Sequence, residues 1–558
     1  MPTISIDPVD YQELLGEPTT AEQFEKYLDL VKGEFKGVDE QGLWRVELND
    51  TNRPDLWSAE GIARQIRSAM GSRRDYSFFS GEPIGEIHVK DQDLMDIRPY
   101  VAAFVVRGVR VTDRCLKQII QTQEKLAENY GRKRKDVAIG VYRAEKIKFP
   151  VTYSAVDPKQ YSYVPLGFDE PMSLAEILEK HPKGIEYRDA LAGHDKVPYL
   201  RDAQDLVLSM PPIINSKELG EVVAGDTDLF VEATGTDLMH VILALNIMAC
   251  DLADRTGRIE RIRTLYPFDT PLGRRVDVPY HMDLSLTVPL AEFSKMLGVN
   301  VRAVELDNVL ERYGCDVSIA DGKVTVSPPP TRADYLHQVD VVEDFAVARG
   351  YETFEPRMPG EFTPGRPSDI SVLEDKARDL MIGMGYEEII SNILFSRDAL
   401  IHRMNRPDDS PLVEVANVMN ENFSALRDGI LPCLLNTESR SAAAAYPHRL
   451  FEAGDVAVFE KDSPVGSVTL VKLGGLIAHR EANLSQAHAD LDFLLQMLEV
   501  PWELDNGDHP SFLPGRCARI LIQGEHVGWL GEIHPEVLQR WEIGVPCAGF
   551  ELSLDSWV

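Results

Sequence analysis

Apolar positions along this chain recur at two periods, and each period predicts an element. Phe24, Tyr27, Leu28 and Val31 fall at i, i+3, i+4 and i+7, which predicts a helix over Thr20–Lys32. Gly42–Leu48 (GLWRVEL) alternates as a half-buried strand does, and Asn49–Asp55 (NDTNRPD) is dense in turn formers. Ser58 stands at the N-cap of a second helix reaching Met70. Short strands (Val101–Val106, Asp205–Leu208, Leu229–Glu232) then mix with helices (Asp113–Asn129, Asp237–Ala253). Leu290–Leu297 and Val301–Tyr313 read as helices parted by Gly298, and Lys323–Ser327 as a strand. Pro328, Pro329 and Pro330 stop regular structure, and Gln338–Arg349 reads as a helix ended by Gly350. The remainder alternates helices with strands over Arg449–Phe459, Thr469–Ala478, Ala518–Ile522 and Glu525–Ile533.

These patterns divide the chain into segments 1–81, 82–269 and 270–351, a linker 352–368 carrying Pro356, Pro359, Pro364 and Pro367, and a last segment 369–558. The expected fold class is α+β multidomain. The second segment is mixed α/β, the third helical, and the last an antiparallel sheet with flanking helices.

Composition narrows the classes. A length of 558 residues accommodates three or four domains. With 44% hydrophobic and 27% charged residues, wholesale disorder is excluded. Six cysteines are scattered without a CxxC pair, which argues against a zinc ribbon or a disulfide scaffold. The opening residues lack a secretion-signal pattern, and the most apolar run, Leu238–Cys250, is too short to span a bilayer. A soluble, cytoplasmic chain with no membrane partner is expected.

The balance of 58 basic against 90 acidic residues, a net charge of −32, argues against a protein that coats nucleic acid by overall attraction. Two local basic stretches remain: Arg132–Lys135, and the looser series Arg255, Arg258, Arg261, Arg263, Arg274 and Arg275. Each is either a solvated face or a set of phosphate contacts. Asp340, Glu343 and Asp344 stand at i, i+3 and i+4, with Asp334 upstream. That spacing puts three carboxylates on one helix face, suited to a hard cation such as Mg2+ or to a solvated acidic surface.

Five stretches resemble the beta subunit of phenylalanyl-tRNA synthetase in its archaeal and eukaryotic form. They are Leu48–Arg67 (LNDTNRPDLWSAEGIARQIR), Pro211–Gly220 (PPIINSKELG), Phe230–Leu238 (FVEATGTDL), Pro328–Tyr351 (PPPTRADYLHQVDVVEDFAVARGY) and Val418–Leu435 (VMNENFSALRDGILPCLL). The resemblance implies an N-terminal B1-like domain, a B3/B4 editing domain, a helical B5 domain and a catalytically inactive class II synthetase-like domain. It implies an alpha2 beta2 heterotetramer in which the alpha subunit uses ATP to join phenylalanine to its tRNA. It places Mg2+ on Asp334, Asp340, Glu343 and Asp344, and an editing pocket for mischarged Tyr-tRNA on Leu200, Ser209, Glu232 and Thr234. The family's archaeal pattern has Asp where this chain has Glu232.

Tyrosine is phenylalanine plus one hydroxyl, and an apolar pocket rejects an added hydroxyl only by roughly 10²-fold. A second, hydrolytic site is therefore expected. No Ser/His/Asp or Cys/His arrangement is evident, which points to attack by a positioned water rather than a covalent nucleophile. The bland reading of the same residues is a turn at Thr234–Thr236 with Asp237 capping a helix. In the last segment, Arg449–Asp455 (RLFEAGD) departs from the spacing of a working ATP site. Gly528–Pro535 (GWLGEIHP) lacks the expected terminal arginine. The fold is expected to survive there without ATP chemistry. Two other readings stand beside this one: a tRNA-binding scaffold that has lost editing, and a free-standing ligase.

Overall fold

Local signals act where the sequence places them. Ser58 caps the helix Ala59–Ala69 by accepting from the Gly61 amide at 2.9 Å, and Asp237 caps Leu238–Asp254 by accepting from Met239 and His240. A computed structural model describes residues 2–557 and divides at the proline-rich stretch into two units, Met1–Met358 and Pro359–Val558.

In the first unit a three-stranded sheet orders Thr3–Ile6, Trp44–Leu48 and Gly33–Val38. A ten-stranded sheet follows. Its path runs Ile214–Asn215, Val207–Met210, Val197–Arg201, Val151–Val156, Gly85–Val89, Arg258–Leu265, Tyr100–Arg107, Leu229–Gly235 and Val137–Arg143, with Arg275–Val278 added on Arg258–Leu265. The helix Leu238–Asp254 is apolar on nearly every face and is buried almost throughout, as a helix packed on all sides must be. The two ends of the sheet path come back together through side chains: the Tyr142 hydroxyl lies 3.1 Å from Asn215 Oδ1.

Three expectations shift. The helix from Thr20 holds its α-form over Ala21–Tyr27 and tightens to a 3₁₀ turn at Leu28–Val31. The helix Asp113–Lys125 continues as a π-turn over Leu126–Tyr130. The segment expected to be helical carries a three-stranded antiparallel sheet, Leu286–Pro289, Lys323–Ser327 and Asp316–Ala320, beside helices Leu290–Leu297, Ala303–Arg312 and Gln338–Arg349. Val288, Val324 and Val326 are buried there with Phe293 and Phe345, so β-branched residues pack a sheet face against the helices.

The second unit is built on a seven-stranded sheet in the order Glu387–Glu388, His448–Phe459, Ser467–Ala478, Cys547–Ser553, Glu525–Ile533, Phe512–Ile522 and Trp502–Asn506. All pairings after the first are antiparallel. Helices Asp369–Gly383 and Leu484–Met497 pack against it.

Candidate functional site

The site is assembled on the strand Leu229–Gly235, whose seven residues are all buried. In its register with Val137–Arg143, Glu232 faces Gly140 and Thr234 faces Ala138. Alternation along a strand puts Glu232 and Thr234 on one face. From the other end of the sheet, Ser209 and Asn215 are paired across their own strands. Between the two ends lies a cavity of about 300 Å³ with Ser209, Asn215, Glu232 and Thr234 on its wall, beside Ile139 and Ile213. Leu200, opposite Ser209 in the register, is fully buried in the apolar core and is not on that wall. The structure thus brings three of the four expected residues together.

Glu232 is 3% exposed. The Tyr142 hydroxyl donates to its Oε1 at 2.9 Å, while its Oε2 is buried without a partner. Ser209 Oγ is likewise buried and unpartnered. Burial disfavours the carboxylate, and although Tyr142 and Arg98 oppose this, the carboxyl is pushed up to about 7. Burial also raises the Tyr142 phenol. When Glu232 is protonated it can donate to Tyr142, whose own proton then turns to Asn215; when ionised it accepts a hydrogen bond from the Tyr142 hydroxyl. Gly140 keeps this space open: a Cβ there would lie 2.4 Å from the Tyr142 hydroxyl and 2.5 Å from Glu232 Oε1.

Thr234 is held rather than free. Arg98, 1% exposed, donates Nε to Thr234 Oγ1 at 2.8 Å and Nη2 to the Thr234 carbonyl. Its Nη1 reaches the carbonyls of Arg134 and Lys135 at 3.1 and 2.8 Å. No carboxylate hydrogen-bonds this guanidinium among the described residues, and burial lowers it to about 10, so it stays charged at neutral pH.

The four acidic residues expected to bind a metal have other partners. Asp334 accepts both Nε and Nη2 of the buried Arg332 at 2.9 and 2.6 Å, and Asp344 accepts Nη1 at 2.6 Å and the Tyr335 hydroxyl at 2.6 Å. Asp340 Oδ2 accepts the Leu336 and His337 amides, each at 2.7 Å, closing the N-terminus of its helix. Glu343 faces Lys32 at 2.6 Å. Among the described residues no group of three or more His, Cys, Asp or Glu is placed to hold a metal ion. In this arrangement a guanidinium engages Asp334 and Asp344, an ammonium Glu343, and two backbone amides Asp340.

In the second unit, charged groups on the sheet face are also satisfied internally. Arg427, 2% exposed, pairs with Glu452 at 2.6 Å and reaches the Ser391 hydroxyl at 2.7 Å. Glu551 accepts the Ile430 and Leu431 amides at 2.6 and 2.9 Å and the Lys472 ammonium at 3.0 Å. The start of the helix Leu431–Arg440 is thus closed by an internal carboxylate. No helix among the described residues is long and apolar enough to cross a membrane.

Sequence reasoning missed Tyr142, Asn215, Arg98 and Gly140. A glycine inside an apolar strand was the one available signal, since such a residue marks close approach of another group.

Comparisons with known proteins align with this architecture. Residues 286–351 match the tRNA synthetase B5 domain family, and residues 355–554 match the phenylalanyl tRNA synthetase beta chain CLM domain family. The chain is 38% identical to the phenylalanine–tRNA ligase beta subunit of Treponema pallidum, covering 99% of both chains. It is 38% identical to that of Thermococcus gammatolerans, covering 99% of this chain and 98% of the relative. An N-terminal fragment of the phenylalanyl-tRNA synthetase beta subunit from Pyrococcus horikoshii has a similar solved structure. It is 37% identical, has a TM-score of 0.59, and matches over 63% of this chain and 100% of that one.

Proposed function

The chain belongs to the phenylalanine–tRNA ligase beta-subunit family, and from that premise we propose that its cavity hydrolyses tyrosine wrongly esterified to the tRNA. In this reading a separate alpha subunit, in an alpha2 beta2 assembly in the cytoplasm, performs the ATP-dependent charging with phenylalanine. The observation that carries it is the pair of unpartnered buried oxygens, Ser209 Oγ and Glu232 Oε2, on residues of the cavity wall. A phenolic hydroxyl entering there finds an acceptor, whereas a phenylalanine ring leaves both oxygens desolvated and unpaired. A site built this way discriminates by roughly 10⁴–10⁵.

The chemistry needs no covalent intermediate. A water oxygen adds to the ester carbonyl carbon, the bond from that carbon to the ribose oxygen breaks, and the ribose oxygen takes a proton. Glu232 and Ser209 bind the tyrosyl hydroxyl, and Arg98 fixes Thr234 on the wall. No step is routed through Mg2+: of its four expected ligands, Asp334 and Asp344 face Arg332, Glu343 faces Lys32, and Asp340 accepts two backbone amides.

A scaffold that binds tRNA without hydrolysis draws support from one feature: Glu232 is already engaged by Tyr142 and Thr234 by Arg98. Deacylation of Tyr-tRNA and Phe-tRNA by the full chain separates the two. The hydrolytic reading expects release of tyrosine only, lost in Glu232→Ala and weakened in Thr234→Ala. Unchanged rates in both variants would remove these residues from the site.

A further inference from the structure

The two basic stretches have different fates in the fold. In the second, Arg255 is buried between Asp10 and Glu60, Arg258 pairs with Glu260, Arg263 with Asp277 and Arg274 with Asp269. Arg261 is spent on the carbonyls of Gly81, Asp277 and Pro279. Five of its six arginines are thus spent within the fold, and only Arg275 is exposed without a salt bridge among the described residues. The first, Arg132–Lys135, lies in the turn between the π-turn Leu126–Tyr130 and the strand Val137–Arg143.

Its backbone is unusual. Arg132, Lys133 and Arg134 have φ of 48°, 55° and 63°, three consecutive left-handed residues without a glycine. Each such residue costs about 1 kcal/mol or more, so the turn persists only because its surroundings over-determine it. Arg132 is clamped to Asp136 by Nε at 2.5 Å and Nη2 at 2.8 Å. The Lys133 and Arg134 amides donate to the Glu128 and Ala127 carbonyls at 2.8 and 2.9 Å. From beneath, the buried Arg98 ties the Arg134 and Lys135 carbonyls to the same Thr234 that lines the cavity.

Arg134 joins turn and cavity. It lines the cavity, donates to the Pro212 and Ile213 carbonyls at 3.2 and 3.0 Å, and stacks 4.1 Å from the Tyr187 ring centre. Lys183 is on the same wall, paired with Glu186. The carboxylates on the wall besides Glu232 are Glu124 and Glu221. Lys133 and Lys135 are exposed, and neither is in a salt bridge among the described residues. A strained, braced turn therefore presents two exposed ammonium groups without a salt bridge among the described residues, on the residues either side of the cavity-lining Arg134, in a chain with net charge −32.

We propose that this turn is a phosphate clamp for the single-stranded 3′ end of the RNA that carries the ester into the cavity, with Lys133 and Lys135 making the phosphate contacts. The proposal rests on the hydrolytic reading above. The ester sits on a 2′ or 3′ oxygen of the terminal ribose, and the first phosphate is on the 5′ carbon of that same ribose, so the strand's phosphates begin one sugar away from the ester and lead outward from the cavity. The acidic body repels RNA elsewhere, which makes the clamp a register device as much as a source of affinity.

The test uses the full chain and the double variant Lys133→Asn, Lys135→Gln, asparagine being tolerated in left-handed backbone. Hydrolysis is measured on Tyr-tRNA across salt concentrations and on the tyrosyl ester of adenosine, which has no phosphate. Expected are a roughly tenfold higher KM for Tyr-tRNA and a salt slope reduced by about 1.4, near 0.7 per lost contact on a single strand. The adenosine ester should be cleaved at the wild-type rate. Wild-type cleavage of Tyr-tRNA with the same KM and slope in the variant would overturn the clamp. If wild type cleaves neither ester, the hydrolytic reading fails instead. Anisotropy of a labelled CCA-ended hairpin then decides the clamp alone: weaker, less salt-sensitive binding by the variant supports it, and equal binding refutes it.

Discussion

Replacing Glu232 by Gln should stabilise the protein while removing its proposed activity. The folded protein holds the Glu232 proton to about 7 against an ordinary value of 4.5, so burial works against the charged form. Below about pH 4.5 both folded and unfolded chains carry the proton, and the group contributes nothing. Between 4.5 and 7 the unfolded chain ionises first and the folded state is penalised increasingly. Above 7 the penalty is complete, about 3 kcal/mol at roughly 1.4 kcal/mol per pKa unit. Gln keeps an oxygen for the Tyr142 proton, has nearly the same shape, and never ionises. Denaturant unfolding of the full chain, following the transition of Met1–Met358, should show the variant equal to wild type near pH 4. At pH 8.5 it should be about 3 kcal/mol more stable. Tyr-tRNA hydrolysis by the wild type should rise with pH through about 7 and be lost in Glu232→Gln. A stability difference that is the same at both pH values would refute the account of Glu232 as a desolvated carboxylate.

Four further outcomes follow from the geometry. Gly140→Ala places a methyl against both Tyr142 and Glu232, and should lower Tyr-tRNA hydrolysis at least tenfold while costing about 1–3 kcal/mol in unfolding. Arg332→Met strands Asp334 and Asp344 and should destabilise the first unit by about 3–5 kcal/mol at pH 7. Arg332 holds Asp334 below the usual carboxylate range despite its burial. The stabilisation it brings is present above that range and lost as pH falls, so the variant's deficit should shrink in acid-urea titrations. Chelation of divalent cations should leave the melting temperature of the isolated chain unchanged, since a cation would have to displace Arg332 and Lys32; a drop on adding EDTA would contradict this. Finally, the isolated chain should support no phenylalanine-dependent ATP–pyrophosphate exchange, because Arg427 and Lys472 on the sheet face are bound to Glu452 and Glu551.

Elements whose signal is local were legible in advance. Ser58 and Asp237 cap helices because a side-chain oxygen two or three residues ahead of free amides satisfies them wherever the chain goes. The strand over Leu229–Gly235 extends three residues past its expected end at Glu232, because its neighbours on both sides supply pairing partners that no local pattern announces. Ser209, Glu232 and Thr234 were singled out together only through a family resemblance; their spacing of 23 and 2 residues carries no chemistry.

The amino-acid sequence by itself determined the helices and strands with clear periods, the acidic excess, the basic tetrapeptide and the likeness to a known family. Which charges remain free was decided by the tertiary structure. It buried Arg255 between two carboxylates, left Lys133 and Lys135 unopposed, and turned an acidic helix face toward Arg332 and Lys32. It also brought Tyr142 and Asn215 together from opposite ends of one sheet, beside Glu232. The reason is physical: periodicity and capping act over a few residues, whereas ion pairing and desolvation depend on distances that exist only once remote segments have packed.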